Sequence, residues 1–349
     1  MKRVFVGLSG GVDSSVAALL LKQQGYEVIG VYMKNWSQDL PGVKCPWEED
    51  YQDAKRVAVQ LGIDFKMYDF EKEYRHKVVD YMIREYKAGH TPNPDIMCNQ
   101  EVKFKLFLET ALEDGADFIA TGHYAKIKDS QLLMAKDGNK DQTYFLYRIT
   151  PEALSKSLFP LGDLTKPEVR DIAKKHNLAS ARRKESMGIC FVGKVGIKDF
   201  LSQYVEEKLG KIIDQHGKVI GEHEGAIFYT IGQRHGLDVG GGLPYYVTGK
   251  NMKKNEVYVT TDLQDEGLWN KQVNLIDVHW ISKLQVQYLQ KGLMVRLRHR
   301  APMIPIKKLN RLSNSRWTVE LEDEVRALTP GQSAVFYGGR ICLGGGLVS

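Results

Sequence analysis

Long apolar runs are missing from this sequence. No stretch approaches the ~20 residues that a membrane-spanning helix needs, which excludes a helical membrane protein. The opening MKRVFVGL starts like an export signal, but Gly10-Gly11 and Asp13 cut its apolar run short, so the expected compartment is the cytosol. Cysteine is scarce. Cys45, Cys98, Cys190 and Cys342 form no CxxC pair, so zinc-ligand spacing is absent and no protein metal site is expected. In a reducing compartment they are free thiols unless chemistry uses them. Internal repeats, low-complexity tracts and long linkers are also absent. Neither sign of charge dominates: 49 Lys and Arg against 43 Asp and Glu leave a net charge of +6. That balance permits a polyanionic partner without demanding one.

What is present is a change of character along 349 residues, a length that favours two or three domains over a single core. The first part alternates strands and helices: an apolar strand at Val4–Leu8, a helix at Ser14–Gln24 stopped by Gly25, and a buried strand at Val28–Met33. Ala54, Val57, Ala58 and Leu61 share one helical face, as do Phe104, Phe107, Leu108 and Ala111. A strand at Asp117–Thr121 follows. Thr165-Lys166-Pro167-Glu168 then reads as a capping box opening a helix with Val169, Ile172, Ala173 and His176 inward. This alternation predicts a parallel sheet covered on both faces, an α/β domain over residues 1–205. Past about residue 205, short strands between glycine-rich turns take over, among them Ile212-Ile213, Phe228–Ile231, Tyr245–Thr248 and Val257–Thr260. They predict a small β-rich domain over 206–275 and, with Met294–Arg300, Trp317–Leu321 and Ser333–Tyr337, a β-barrel over 276–349.

The first strand runs into Ser9-Gly10-Gly11-Val12-Asp13-Ser14-Ser15 and then a helix. Glycines let the backbone curl around an anion, and the helix adds its positive N-terminal end. The loop is neither a Walker A sequence, lacking Gly-Lys-Ser/Thr, nor a GxGxxG fingerprint. The bland reading is a tight turn with serine capping; the whole string in this context favours a phosphate or pyrophosphate site.

Two cysteines stand in distinctive surroundings. Cys98 follows Thr91-Pro92-Asn93-Pro94-Asp95, a loop stiffened by two prolines, close to a helix start where a thiolate is favoured. Asp95 three residues earlier makes an acid/base and nucleophile pair conceivable. A small buried cysteine behind a stiff turn fits the same residues equally well. Cys190 has apolar, Gly-flanked neighbours that suit a structural cysteine, although Arg182, Arg183 and Lys184 upstream could lower its pKa or hold a phosphate. Arg296, Arg298 and Arg300 alternate along an expected strand, which would put all three on one face as a phosphate-binding strip. The alternative there is a charged edge strand guarded against pairing.

The string SGGVDS resembles the signature of the PP-loop ATP pyrophosphatases. That resemblance implies ATP split between its α- and β-phosphates, with Mg2+, and AMP placed on a substrate oxygen. Combined with PNPDxxCN and the later Gly188-Ile189-Cys190-Phe191, the sequence is similar over essentially its whole length to the bacterial MnmA (TrmU) family of tRNA-specific 2-thiouridylases. Further matching strings are Ala120–Ala125, Lys140–Leu146, Thr230–Arg234, Thr329–Tyr337 and Cys342–Gly346. The resemblance implies 2-thiolation of a wobble uridine in tRNA, the Glu, Gln and Lys acceptors being suggested. Cys190 would carry a persulfide supplied by a cysteine desulfurase or relay protein. Cys98 would be the nucleophile, either forming a disulfide with Cys190 or releasing sulfide, and Asp95 the general acid/base. It assigns ATP to Gly7, Leu8, Ser9, Gly10, Gly11, Val12, Asp13, Ser14, Met33 and Gly122. The target base goes to Asn93, Pro94 and Asp95, and the rest of the tRNA to His123, Lys140, Asp141, Gln142, Arg298, His299 and Gln332. The chain departs from the family pattern at His90, where Arg is frequent, and at Glu185 and Met187 beside the persulfide cysteine. Another PP-loop ligase, or a tRNA-binding protein with a relic nucleotide site, remains as an alternative. The first would leave the paired cysteines idle, and no glutaminase portion is visible. The second is disfavoured by the intact loop, Asp95 and both cysteines.

Overall fold

The structure is a computed structural model that describes residues 1–40, 44–184, 196–240, 242–281 and 292–349. The first unit contains β1 (Arg3–Gly7), β2 (Glu27–Lys34), β3 (Asp64–Asp69), β4 (Phe118–Ala120), a hairpin of β5 (Ala125–Lys128) and β6 (Gln131–Met134), and β7 (Ser157–Leu158). Five of these strands form a wholly parallel sheet in the order β3-β2-β1-β4-β7. In β1 the side chains alternate between two cores. Val4 and Val6 meet Val16, Ala17, Val57, Ala58 and Val169 from the Val12–Gln23, Trp47–Leu61 and Lys166–Lys175 helices. Phe5 faces the other way, onto the core of Met82, Val102, Phe107 and Ile119. A strand buried on both faces reads as the unbroken apolar run Val4-Phe5-Val6, as parallel sheets require.

The chain moves outward from β1 to β3 and then returns to place β4 on β1's other side. Such a reversal opens a crevice beyond the carboxyl ends of the two strands, where ligands of open α/β sheets sit. The glycine loop leaves β1 there and Gly122 leaves β4 there.

The second unit is a four-stranded sheet of β8 (Gly210–Ile213), β9 (Val219–His223), β10 (Tyr246–Asn251) and β11 (Glu256–Thr260), ordered β10-β11-β8-β9 around Ile212, Val247 and Val257. The third unit is a closed antiparallel barrel. β12 (Trp269–Trp280), β13 (Leu293–Arg296), β14 (Ile304–Arg311), β15 (Trp317–Arg326), β16 (Ser333–Gly338) and β17 (Ile341–Val348) run β12-β15-β14-β13-β16-β17, and β12 pairs with β17 to close it. The expected mixed α/β architecture with a β-rich centre and a terminal barrel is therefore present. The β5–β6 hairpin was not anticipated: β6 adds to β17 through Leu133↔Ile341 and Leu132↔Cys342, so one sheet runs from the first unit into the barrel.

Other sequence expectations need correction. Phe228–Ile231 is not a strand; Ala226–Phe228 forms a 3-10 turn, and left-handed Gly232 (φ 83°) bends the chain out of any ladder. His176 is exposed at the end of its helix rather than inward. β13 stops at Arg296 and Arg300 takes a left-handed φ of 63°, so the three arginines do not line one strand face. β3 was missed because its exposed, alternating Asp-Phe-Lys-Met-Tyr-Asp is an edge strand without an apolar run. Among the described residues no helix is long and apolar enough to cross a membrane.

Candidate active site at the glycine loop and the Asp95-Cys98 helix

The loop after β1 is organised by its own serines. Ser9 N–H donates to Ser14 Oγ at 3.2 Å, Gly11 N–H to Ser9 Oγ at 3.4 Å, and the Ser14 and Ser15 hydroxyls to Gly11 O at 3.2 and 2.7 Å. The first helical bond is Ser15 N–H to Gly11 O, so the amides of Val12, Asp13 and Ser14 precede it and face the helix mouth. Gly10 sits at φ 72°, and a Cβ on it would lie 2.6 Å from Arg183 Nη1 and 2.8 Å from Asp53 Cβ; only glycine fits both the turn and the space. Gly122 and Met33 pack close to this segment. A Cβ on Gly122 would stand 2.8 Å from Ser14 N, and one on Gly7 2.9 Å from Met33 Cε.

The structure adds charged groups that sequence reasoning did not single out. Lys166 is only 8% exposed, and its ammonium donates to both Asp13 oxygens at 2.7 and 2.8 Å. Tyr124 Oη donates to the same carboxylate at 2.8 Å. The signal was there, in a lysine at the first position of a capping-box helix, but it was read only as a cap. Arg183 pairs with Asp50 and Asp53 of the Trp47–Leu61 helix; Nη1 lies 2.9 Å from Asp53 Oδ2 with its N–H turned away, an ion pair rather than a hydrogen bond. Burial raises the Asp50 carboxyl above its ordinary range against the pull of that guanidinium. Among the described residues no cluster of three or more His, Cys, Asp or Glu could cage a metal. Mg2+ carried on nucleotide phosphates needs only one or two carboxylates; Asp13, paired with Lys166, is in the loop itself, and Asp53, paired with Arg183, lies against Gly10.

The second half of the site is a short helix. Asn93 caps it, its Oδ1 accepting Asp95 N–H at 3.1 Å, with Pro94 in the first position. The helix Pro94–Met97 continues as a π-helical stretch over Cys98–Leu106. The helix thus starts ahead of Cys98, and Asp95 and Cys98, three residues apart, share a face. Cys98 is 4% exposed. Burial pushes the Asp95 carboxyl up, opposed by the charge of Lys103. Full burial and the same lysine hold His123 well below the ordinary imidazole range; its Nδ1 is 2.7 Å from Thr121 Oγ1 and its ring lies between Phe104 and Phe159. A lowered imidazole and a raised carboxyl thus both feel the charge of Lys103.

The remaining expected tRNA contacts divide. Asp141 is 1% exposed and spent on Ala135 N–H, Thr143 Oγ1 and Arg296, at 3.0, 2.8 and 3.3 Å, so its side chain ties the first unit to the barrel and is not offered to a polyanion. Gln142 Oε1 accepts Tyr124 N–H at 2.9 Å, and Lys140 nearby in the chain is partly exposed. Arg298 is half-buried and donates to Ala327 O and, at 3.2 Å, to Thr329 Oγ1. His299 packs on the Phe145 ring with centroids 4.5 Å apart, its pKa lowered to about 4 by burial and by Arg300 and Arg296. Phe145 O in turn accepts Asn99 Nδ2 at 3.1 Å, which links His299 to the neighbour of Cys98. Cys190 lies outside the described residues, so its expected approach to Cys98 has no geometry here. Burial raises the thiols of half-buried Cys45 and buried Cys342.

An open parallel sheet with a glycine loop at its switch point, joined to a small β unit and a closed barrel, is the architecture of a HUP-type domain with two appended β modules. Residues 2–194 match the tRNA methyl transferase HUP domain, 198–261 the tRNA methyl transferase PRC-barrel domain and 270–348 the aminomethyltransferase beta-barrel domain. The chain is 47% identical to the tRNA-specific 2-thiouridylase MnmA of Geobacillus thermodenitrificans, 48% to that of Halalkalibacterium halodurans and 46% to that of Bacillus subtilis, in each case over 99% of this chain and 94% of the relative. The chain belongs to the MnmA family of tRNA-specific 2-thiouridylases.

Proposed function

We propose that this protein is a tRNA-uridine 2-sulfurtransferase that uses ATP to activate the 2-oxygen of a wobble uridine. Family membership supports the tRNA 2-thiolation; the pairing of a burial-raised Asp95 carboxyl with Cys98 on one helical face, in a chain that also carries a glycine loop suited to pyrophosphate, is the observation that carries the chemistry. A uridine 2-oxygen leaves poorly. Its attack on the α-phosphorus of ATP expels pyrophosphate and makes an AMP ester that leaves well. The loop Gly7–Ser14 and Lys166 hold the phosphates, Met33 and Gly122 border the nucleotide, and Asp13, here paired with Lys166, is the loop carboxylate that would meet Mg2+, which when bound neutralises phosphate charge. Asn93, Pro94 and Asp95 hold the base, with Asp95 moving its N3 proton.

Sulfur arrives as a persulfide on Cys190, loaded by a cysteine desulfurase or a relay protein. Its outer sulfur adds to C2, AMP departs with the former 2-oxygen, and Cys98 thiolate attacks Cys190 Sγ. The S–S bond electrons pass to the transferred sulfur, leaving 2-thiouridine and a Cys98–Cys190 disulfide that an external thiol reopens. The partner set is tRNA, in particular the Glu, Gln and Lys acceptors, and the sulfur donor; the reducing cytosol suits the free thiols.

The reaction is tested by mass spectrometry of nucleosides from unmodified tRNA incubated with the protein, ATP, Mg2+ and a persulfide supply. ATP-dependent 2-thiouridine that vanishes in Cys98→Ser and Cys190→Ser supports the scheme. ATP cleavage to AMP without thiouridine in the wild type would move the acceptor elsewhere.

A further inference from the structure

All three units of the chain converge on Thr91, four residues before Asp95. Its N–H donates to Pro330 O at 2.8 Å and its C=O accepts from Gln332 Nε2 at 2.6 Å, so both backbone groups are held by one turn of the barrel unit. Its hydroxyl lies 3.3 Å from Thr230 Oγ1 of the central unit. The fit leaves no slack. Gly331 sits at φ 88°, and a Cβ there would lie 2.8 Å from His90 Cβ and 2.9 Å from Thr91 N. Just upstream, a Cβ on Gly89 would meet Met252 Cγ of the central unit at 2.7 Å. The barrel turn itself lies against the central unit: Thr329 Oγ1, which donates to Ala327 O at 3.0 Å, is 3.5 Å from Ile231 O, and a Cβ on Gly232 would come within 2.4 Å of Ala327 Cβ.

Little freedom separates this anchor from Asp95. Pro92 and Pro94 each fix φ, and Asn93 is held by its cap to Asp95 N–H. A displacement at Thr91 is therefore carried to the carboxyl and, one helical turn on, to Cys98. Gln332, which the family resemblance assigns to tRNA, has its side-chain amide on the Thr91 carbonyl.

We propose that Thr91 is a positioning residue, and that the Pro330–Gln332 turn together with Thr230 forms a clamp that sets Asp95 and Cys98 for reaction. The barrel then takes part in the chemical step through this turn, in addition to any tRNA surface it offers. This deepens the 2-thiolation reading and rests on it for its kinetic consequence, although the clamp itself is measurable without any product.

The test uses the full chain with Gly331→Ala and, independently, Thr230→Val with Thr230→Ser as the conservative rescue. Hydrogen exchange reads the amides of residues 91–98, and single-turnover thiolation at saturating tRNA is measured beside tRNA affinity. Misplacement of reacting groups by about 1 Å costs up to roughly 100-fold. On that scale Gly331→Ala should speed exchange in 91–98 and slow the saturated step by about tenfold or more, with tRNA affinity within about threefold. Thr230→Val should do the same more weakly and Thr230→Ser should recover the rate. Unchanged exchange in 91–98 in Thr230→Val and in a folded Gly331→Ala overturns the clamp. So does weakened tRNA binding with an unchanged saturated rate, since the turn would then be a tRNA contact alone. Wild-type protein that forms no thiouridine refutes the functional reading, while the exchange rates of 91–98 still decide for or against the clamp.

Discussion

The glycine-loop corner and the Asp95-Cys98 corner are built in opposite ways. At the first, seven consecutive residues, running from the end of a strand into the first turn of a helix, organise their own hydroxyls and amides, and distant residues such as Lys166 and Arg183 add charge. At the second, the reacting groups sit on a short helix whose entry loop is held by the barrel and the central unit. A site for phosphates needs amides at a helix mouth, which a local motif supplies. A site that must bring a base, a carboxyl and a thiol together needs placement, and placement comes from elements far apart in sequence.

Perturbing each corner separately sharpens the contrast. Asp95→Ala and Cys98→Ser should give the largest effect, a loss of thiolation of roughly 100-fold or more with ATP affinity nearly unchanged, read by single-turnover assay and nucleotide titration. Lys166→Met strikes the other corner: it leaves Asp13 facing the phosphates without its counter-charge, so ATP binding should weaken by about tenfold or more in a titration, while tRNA affinity holds. Arg296→Met breaks the buried pair with Asp141 that joins the first unit to the barrel. Removing one partner of such a pair costs about 3–5 kcal/mol, which a denaturant melt would register, and the second corner should lose rate along with it.

Smaller effects come from titration. Burial raises the Asp95 pKa, so the folded protein binds that proton more tightly than the unfolded chain, and stability is lost as pH rises from the unfolded value of 3.8 through the folded one. Asp95→Asn should therefore melt higher than the wild type at pH 7, the gap closing in acid, even as it abolishes turnover. His299 has the opposite sign. Its pKa falls to about 4, so the unfolded chain takes up the proton first and stability drops as pH falls from 6.5 toward 4. His299→Phe, which keeps the ring against Phe145, should flatten that limb of a melting-temperature profile.

The same contrast explains what could be read beforehand. β1, its loop and the capping box at Thr165 were legible because their determinants are neighbours in sequence. The pairing of β6 with β17 was not, since nothing in Gln131–Met134 distinguishes a strand that extends a barrel from a surface hairpin. The alternation of Arg296, Arg298 and Arg300 suggested a strip, but a left-handed residue at 300 and a buried partner at Asp141 decided otherwise. Asp141 itself looked like part of a polar contact string, and only the fold shows that its carboxylate is enclosed. Lys166 was passed over because a buried lysine and a solvated one are indistinguishable without the Asp13 that receives it.

Everything turns on whether ATP activates the uridine 2-oxygen itself. Unmodified tRNA carrying 18O at the uridine 2-position, reacted with ATP and a persulfide supply, reports on it directly. Adenylation at that oxygen followed by C2–O cleavage leaves the 18O in the phosphate of the AMP recovered by mass spectrometry, one label for each thiouridine formed. Thiouridine accompanied by unlabelled AMP would contradict the mechanism, because the oxygen would then have left without ever being bonded to phosphorus.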